Sequence, residues 1–167
     1  MAILGGHSVN AYTYLDSPIG RLLLCCDGVA VTGLYMEVPG RARSALEHGV
    51  EDGSVGPLPE AARQLGQYFA GDRRVFHLAL RLEGTDFQRR VWKVLTEIPF
   101  GETWSYGQLA KHLDNPNACR AVGLANGRNP ISILVPCHRV IGADGSLTGY
   151  GGGLERKQWL LAHEGLH

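Results

Sequence analysis

A cysteine, a histidine and an arginine follow one another directly after a proline, at Pro136-Cys137-His138-Arg139. A thiol becomes a strong nucleophile as the thiolate, which neighbouring basic or cationic groups favour. His138 could take the proton, and Arg139 could supply positive charge or hold another loop. Residues 131–140 are mostly apolar and β-branched, which predicts a buried strand or extended segment. Adjacent side chains of an extended chain point to opposite faces, so a Cys137–His138 link needs a turn at Cys137 or a bridging water.

By itself the Cys-His pair is ambiguous, because cysteine is among the residue types most often buried for packing alone. The surroundings give it meaning. The run Pro-Cys-His-Arg-Val at residues 136–140 resembles the active-site signature of the O6-alkylguanine-DNA alkyltransferases. Other runs similar to that family are residues 16–20, 84–88, 120–123, 129–130 and 149–152. The resemblance covers residues 12–165 and is most specific over 120–152.

The resemblance implies DNA repair by direct reversal, in which an alkyl group moves from O6 of guanine in duplex DNA to Cys137. The reacting carbon lies inside the base stack, so the nucleotide must first be flipped out. The product thioether is stable and no hydrolytic step is provided, so each molecule would react once. No cofactor is implied. The resemblance leaves open whether O4-alkylthymine is also accepted.

The resemblance also implies roles for individual residues. Cys137 would be the nucleophile, His138 the base acting through water, and Glu164 the acid that orients and charge-stabilises His138. Tyr106 would donate its hydroxyl to the purine N3 as charge grows on the leaving base. From the residues alone, Glu164 is equally a surface carboxylate at a helix end.

A second group of residues would bind the substrate and the DNA. The expected substrate contacts come from Tyr106, Val140, Tyr150, Gly151 and Lys157, and the expected DNA contacts from Ser105, Arg120, Ala121 and Asn129. Arg120 would enter the DNA stack from a helix in the minor groove, and Asn129 would orient either the Cys137 segment or the helix end. Without the resemblance, Arg120 is a phosphate or salt-bridge contact, Asn129 a turn residue and Lys157 part of a solvated helix face.

The elements that hold these residues begin with a predicted β-meander. Residues 9–15 and 20–36 are rich in apolar and β-branched residues. Asp27-Gly28 is a two-residue hairpin signal between two strands, residues 21–26 and 29–36.

The next stretch predicts one helix and one more strand. Residues 37–57 are rich in Gly, Pro and charge and are expected to be mobile, with a short helix possible over 42–48. Residues 59–70 predict a helix, and the alternation over 75–82 predicts a strand. Residues 1–82 therefore read as an α+β domain in which no residue demands chemistry, and the resemblance implies a small α/β, ribonuclease H-like fold for it.

Glu83-Gly84 is the expected boundary to a helical domain, residues 83–167. Two capping boxes follow, in which a hydroxyl and a glutamine bond to each other's backbone N–H: Thr85 with Gln88, and Ser105 with Gln108. Residues 105–113 and 118–126 predict two short helices joined by a turn, a helix-turn-helix pattern that the resemblance makes a winged one. A last helix over 154–164 has Leu154, Leu161 and Ala162 as its expected packing stripe.

Composition limits the alternatives. The chain has 167 residues with 16 basic and 16 acidic side chains, which argues against binding nucleic acid by bulk charge. Residues 1–85 carry a net charge of −2 and residues 86–167 a net charge of +2. The four cysteines have no zinc-site spacing, and Cys25 and Cys26 are adjacent, so we expect no metal, no disulfide framework and a cytoplasmic protein. No secretory signal or membrane span is expected.

The expected partner is double-stranded DNA, bound through the minor groove by a monomer, with cooperative binding left open. The main alternative is a non-enzymatic DNA-binding protein, either a lesion sensor or a domain of a transcriptional regulator. Relatives of that kind have replaced the cysteine, so the presence of Cys137, His138 and Glu164 favours transfer. A cysteine hydrolase is a third reading, but no oxyanion hole or turnover route is specified.

Overall fold

A four-stranded sheet forms the centre of the N-terminal part of the molecule. The computed structural model describes residues 9–36 and 42–166. The strands are β1 (Ala11–Leu15), β2 (Leu22–Cys26), β3 (Val31–Tyr35) and β4 (Val50–Glu51), in the order β3-β2-β1-β4. Strand β2 is antiparallel to both β1 and β3, whereas β4 is parallel to β1. The predicted meander is therefore confirmed, and β4 was not predicted.

The two helices of this part lie on opposite faces of the sheet. Helix α2 (Leu58–Phe69) packs with Leu22 and Leu24 in the main core, whereas Leu23 and Cys25 face a second cluster that includes Ala42, next to α1 (Arg43–His48). Every residue of β2 is consequently buried. A strand covered on both faces is an unbroken apolar run instead of an alternating one.

Two local predictions for this part were wrong. The β2–β3 loop spans residues 27–30, because the Asp27 carboxylate accepts hydrogen bonds from Val29 N and Ala30 N and widens the turn. Residues 42–57 were expected to be mobile apart from a possible short helix over 42–48. That helix is present as α1, whereas the following residues form β4, in which Val50 N donates to Asn10 O at 3.0 Å. Residues 37–41 lie outside the described residues.

The predicted strand over residues 75–82 is an extended segment with a single bridge to the sheet, between Val31 and Leu80. The alternation is real, since Phe76, Leu78, Leu80 and Leu82 pack against the core. However, the amide of Gln64 on α2 occupies the hydrogen-bonding position of a neighbouring strand. Its Nε2 donates to His77 O at 3.1 Å and its Oε1 accepts from His77 N at 2.9 Å.

The C-terminal part is mainly helical. Its helices are α3 (Asp86–Leu95), α4 (Tyr106–His112), α5 (Cys119–Gly127) and α6 (Leu154–His163), and two short strands, β5 (Trp104–Ser105) and β6 (Val140–Ile141), pair in parallel. Both predicted capping boxes are present, at α3 and at α4. Helices α3, α4 and α5 pack on one another. The α+β fold class, a small sheet followed by a helical part, is confirmed.

The prediction of an extended segment over residues 131–140 was wrong in its middle. Leu134 N donates to Ser132 O at 2.8 Å and Val135 N to Ile131 O at 3.0 Å, which closes a tight turn. Ile133 in this turn has a φ of 70°. A β-branched residue in this region is strained, and such strain persists only where the surroundings impose it. A 3₁₀ helix, Cys137–Arg139, follows directly.

Strand β3 connects the two parts of the chain at this turn. Leu34 N donates to Pro130 O at 2.9 Å, and Ser132 N donates to Leu34 O at 3.2 Å. The main hydrophobic core runs without interruption from β2 and α2 to α3, α4 and α6. The segment that leads to Cys137 is thus held by backbone bonds to the N-terminal sheet. Among the helices of the described residues, none is long and apolar enough to cross a membrane.

Candidate active site

The 3₁₀ helix turns the chain at the predicted nucleophile. Cys137 N donates to Val135 O at 2.8 Å, and Arg139 N donates to Pro136 O at 3.0 Å. The turn lets Cys137, His138 and Arg139 all be buried, with exposed fractions of 4%, 0% and 6%. A turn at Cys137 is one of the two possibilities that we expected from the sequence, the other being a bridging water.

Glu164, at the C-terminal end of α6, is where the buried polar side chains meet. Its Oε2 lies 2.6 Å from His138 Nε2 and accepts from the Tyr68 hydroxyl at 2.7 Å. Arg139 donates from Nε to Oε1 at 2.7 Å and from Nη2 to Oε2 at 3.3 Å. Arg139 Nη1 also donates to Ile98 O at 2.6 Å. Glu164 is 5% exposed, so the surface-carboxylate reading is wrong.

The charges in this cluster set the tautomer of His138. Burial opposes the charge of Glu164, but hydrogen bonds from His138 and Arg139 outweigh it and lower the pKa of the carboxyl to about 2. Burial lowers the pKa of His138, against the opposing effect of Glu164. An ionised carboxylate only accepts hydrogen bonds, so the proton of neutral His138 resides on Nε2. Nδ1 is then a buried basic lone pair, with no hydrogen-bond partner among the described residues.

Two asparagines from the end of α5 hold the nucleophile. Asn129 Nδ2 donates to Val135 O at 2.8 Å and to Cys137 Sγ at 3.1 Å, while its Oδ1 accepts from Ile131 N at 2.9 Å. Asn126 Nδ2 donates to Cys137 O at 3.4 Å. An N–H aimed at the sulfur favours its thiolate form. Of the two roles expected for Asn129, the structure therefore has the one that orients the Cys137 segment.

A small cavity of about 20 Å³ lies beside Cys137. Its lining residues come from β3 and α5, from the segment 131–140 that holds Cys137, and from the glycine-rich loop, residues 149–153; they include Tyr35, Met36, Ser132, Tyr150 and Gly151. That volume holds about one water molecule, so the lining residues would have to move apart before a purine could enter.

The glycine-rich loop is held from one side by Lys157. Its Nζ donates to Val140 O at 2.6 Å and to Thr148 O at 3.2 Å. Lys157 is completely buried, so it does not belong to a solvated helix face. The Tyr106 hydroxyl donates to the same Thr148 O at 3.1 Å, which connects the start of α4 to this loop.

The outer face of α5 is exposed and carries both small and large residues. Arg120, Ala121, Leu124 and Gly127 point to solvent, while Val122, Ala125 and Asn126 are buried. The exposed residues thus form a shallow surface with one long cation near its start. The other end of α5 leads directly to Asn129 and the nucleophile.

Two family models match nearly the whole chain. Residues 10–82 match the ribonuclease-like domain, and residues 86–166 the DNA binding domain, of 6-O-methylguanine DNA methyltransferase. A methylated-DNA–protein-cysteine methyltransferase of Mycolicibacterium paratuberculosis is 50% identical over 162 residues, which cover 93% of each chain. The chain belongs to the 6-O-methylguanine DNA methyltransferase family.

Solved structures of family members have the same fold. The crystal structure of Mycobacterium tuberculosis O6-methylguanine methyltransferase superposes with a TM-score of 0.86 at 51% identity, covering 93% of both chains. The Mycobacterium tuberculosis OGT protein in complex with DNA superposes with a TM-score of 0.85 at 52% identity, covering 92% of both chains. The family expected from the sequence is thereby confirmed.

In this family member the structure brings together most of the expected site residues, and it adds four that sequence reasoning missed. Ser105 caps α4, since its side chain accepts from Gln108 N at 3.1 Å. The missed residues are Tyr68 and Asn126, which hold Glu164 and Cys137, and Tyr35 and Met36, which line the cavity. Tyr68 lies on the apolar face of α2, where an aromatic residue predicts core packing. Arg139 was noted in the sequence, but its ion pair with Glu164 was not.

Proposed function

We propose that this protein removes alkyl groups from O6 of guanine in duplex DNA and keeps them on Cys137. The observation that carries the proposal is the buried arrangement of Cys137, His138 and Glu164, with an ionised carboxylate, a neutral imidazole and an amide N–H on the sulfur. The relatives named methylated-DNA–protein-cysteine methyltransferases support it.

The first step is proton transfer from the thiol. We expect the Cys137 proton to pass through one water molecule to His138 Nδ1, the lone pair that Glu164 leaves available. Glu164 then stabilises the imidazolium through Nε2, at 2.6 Å. The Asn129 amide remains on the sulfur and stabilises the thiolate.

The second step is displacement at the alkyl carbon. The Cys137 sulfur forms a bond to that carbon, the carbon–O6 bond breaks, and its electron pair leaves with the guanine. Tyr106 would donate its hydroxyl to the purine N3 as that charge develops, leaving its present contact with Thr148. Val140, Gly151 and Tyr150 would contact the base once the glycine-rich loop has opened, with Lys157 holding the Val140 carbonyl. The thioether has no route to hydrolysis, so each molecule reacts once.

For DNA binding, we propose that the exposed face of α5 lies in the minor groove. Its small residues allow close approach to a groove floor, and Arg120 is the long cation placed to fill the space of a flipped nucleotide. A relative has been solved in complex with DNA, which supports the partner. We further propose that the chain divides at Glu83-Gly84, between the two family-model matches, and that it acts as a monomer.

The test is the mass of the protein after reaction with a duplex that contains one O6-methylguanine. One methyl group per molecule on the Cys137 peptide is the expected result, and Cys137→Ala should bind the duplex without gaining mass. Cys119 is the exposed thiol among the four cysteines, so Cys119→Ser is the matched control for non-specific alkylation. Tight binding with no mass change would instead indicate a lesion sensor.

A further inference from the structure

Tyr68 connects the N-terminal part of the chain to the catalytic carboxylate. Its hydroxyl donates to Glu164 Oε2 at 2.7 Å, the same oxygen that contacts His138 Nε2. Tyr68 lies on α2, 96 residues away from Glu164 in sequence, and its side chain is fully buried. The hydroxyl is therefore an internal donor, shielded from solvent, to the carboxylate oxygen that faces His138.

The hydroxyl is not needed to dock the two parts together. The backbone carbonyl of the same residue accepts a separate hydrogen bond from His163 Nε2 at 2.6 Å. The Tyr68 ring packs against Phe69, Phe76, Phe100 and His163, with centroids 5.1 to 6.2 Å away. A phenylalanine at this position would keep the packing and the backbone bond and would lose only the contact with Glu164.

We propose that Tyr68 is a positioning residue for alkyl transfer: its hydroxyl holds Glu164 and moderates the negative charge that this carboxylate presents to His138. This rests on the proposed function. Glu164 Oε2 accepts hydrogen bonds from both the Tyr68 hydroxyl and His138 Nε2. Removing the hydroxyl leaves more negative charge facing His138, which makes the imidazole more basic.

The surroundings leave the hydroxyl as a constant donor. Burial, followed by the charge of Glu164, raises the pKa of Tyr68 far above its ordinary value, so it stays protonated at every working pH. The other charged or titratable groups that face the Glu164–His138 pair are Arg139, Lys157 and the neighbouring His163. None of these changes when Tyr68 becomes phenylalanine.

The sign of the effect follows from the mechanism. His138 must be neutral to accept the Cys137 proton, so the rate falls at low pH as His138 becomes protonated. In Tyr68→Phe that acid limb should move to higher pH by about half a unit, which lowers the rate on the limb about threefold. A side chain with only a packing role would lower the rate equally at every pH and leave the limb in place.

The experiment measures single-turnover methyl transfer from a saturating O6-methylguanine duplex, from pH 5 to pH 9, with wild type, Tyr68→Phe and His163→Phe. The control His163→Phe removes the docking bond and keeps an aromatic ring, so it should lower the melting temperature without moving the acid limb. Tyr68→Phe should move the limb. A fluorinated tyrosine at position 68 is a stronger donor and should move the limb to lower pH, which keeps the test available if Tyr68→Phe does not fold.

The outcomes separate the two proposals. If wild type transfers methyl but Tyr68→Phe and the fluorinated variant have the wild-type acid limb, Tyr68 has only a packing role and the inference is wrong. A shift in His163→Phe equal to that in Tyr68→Phe would also overturn it, because docking would then be the cause. If wild type itself transfers no methyl group, the proposed function fails instead.

Discussion

Replacing Glu164 by glutamine should separate the catalytic role of this residue from its structural one. Every described hydrogen-bonding neighbour of the carboxylate is a donor. These donors are the Tyr68 hydroxyl, Arg139 Nε and Nη2, the backbone N–H of Gly101, and His138 Nε2. A glutamine amide nitrogen would find no acceptor unless His138 changed tautomer. In that tautomer Nδ1 carries the proton and cannot receive the one from Cys137.

The size of both effects can be worked from this geometry. Lowering the pKa of Glu164 from 4.5 to about 2 corresponds to about 3 kcal/mol of stability at neutral pH. Removing one partner of a buried ion pair costs about 3–5 kcal/mol, in agreement. For a chain of this size the melting temperature should fall by about 6–12 °C. Transfer should fall on the order of a thousandfold or more, as expected when the acid of a triad no longer fixes the base tautomer.

Single-turnover transfer and thermal unfolding are measured on Glu164→Gln and on the double variant Glu164→Gln/Arg139→Met. The second change removes the buried cation that glutamine leaves unpaired, so a good part of the lost stability should return. Transfer should stay low, because a neutral amide oxygen cannot stabilise the imidazolium as the carboxylate does. Near-wild-type transfer by Glu164→Gln, or recovery of transfer in the double variant, would refute the assignment of Glu164 as the group that orients the base.

Three further predictions follow from the site. Arg120→Ala should lower transfer from duplex DNA by about tenfold or more, with little effect on reaction with free O6-methylguanine base, because a few kcal/mol of unstacking is no longer compensated. The control is Arg128→Ala, an exposed arginine at the opposite end of the same helix. Equal losses on both substrates would exclude a flipping role for Arg120. Asn129→Ala should lower the thiolate fraction of Cys137 and reduce its alkylation by iodoacetamide at neutral pH about tenfold. Alkylation of Cys137 in Asn129→Asp should be slower still. Faster alkylation in either variant would contradict the role of Asn129 as a hydrogen-bond donor to the sulfur. The difference in unfolding free energy between wild type and Glu164→Gln should be at its full size above about pH 4.5 and should disappear as the pH falls towards 2, since folding lowers the pKa of the Glu164 carboxyl to about 2. Urea unfolding across that pH range measures the difference. A difference that does not change with pH would contradict the prediction.

Signals contained within a few residues were predictable from the sequence. The capping boxes at Thr85 and Ser105 form as expected, because an N-cap and its partner three residues later need no tertiary contact to find each other. The strands of the meander were placed to within a few residues, because strands that follow one another in sequence also pair in the sheet. Ile133 was not predictable, because a β-branched residue with a φ of 70° is imposed by the surrounding fold against its own preference.

Helix α6 is an element whose buried face could not be predicted fully from its hydrophobic pattern. Of the expected packing stripe, Leu161 is buried as predicted, but Leu154 is 48% exposed and Ala162 is exposed as well. The buried positions are Lys157, Leu160 and Leu161, followed by Glu164. They follow the helical i, i+3, i+4, i+7 spacing, but the first and last are charged, so a search for apolar residues finds Leu160 and Leu161 and misses both ends of the face.

Lys157 and Glu164 also explain why resemblance to a known family identifies the site, whereas composition and hydrophobic pattern do not. Lys157 and Glu164 stand two turns apart on one buried face, where Lys157 Nζ donates to Val140 O and Glu164 Oε2 contacts His138 Nε2. Each is tolerable in the interior only because several partners satisfy it, and Tyr68 is one of those partners. The N-terminal part, in which the sequence suggested no chemistry, therefore supplies a hydrogen-bond donor to Glu164, and we expect a change on α2 that leaves the fold intact to alter the reactivity of Cys137.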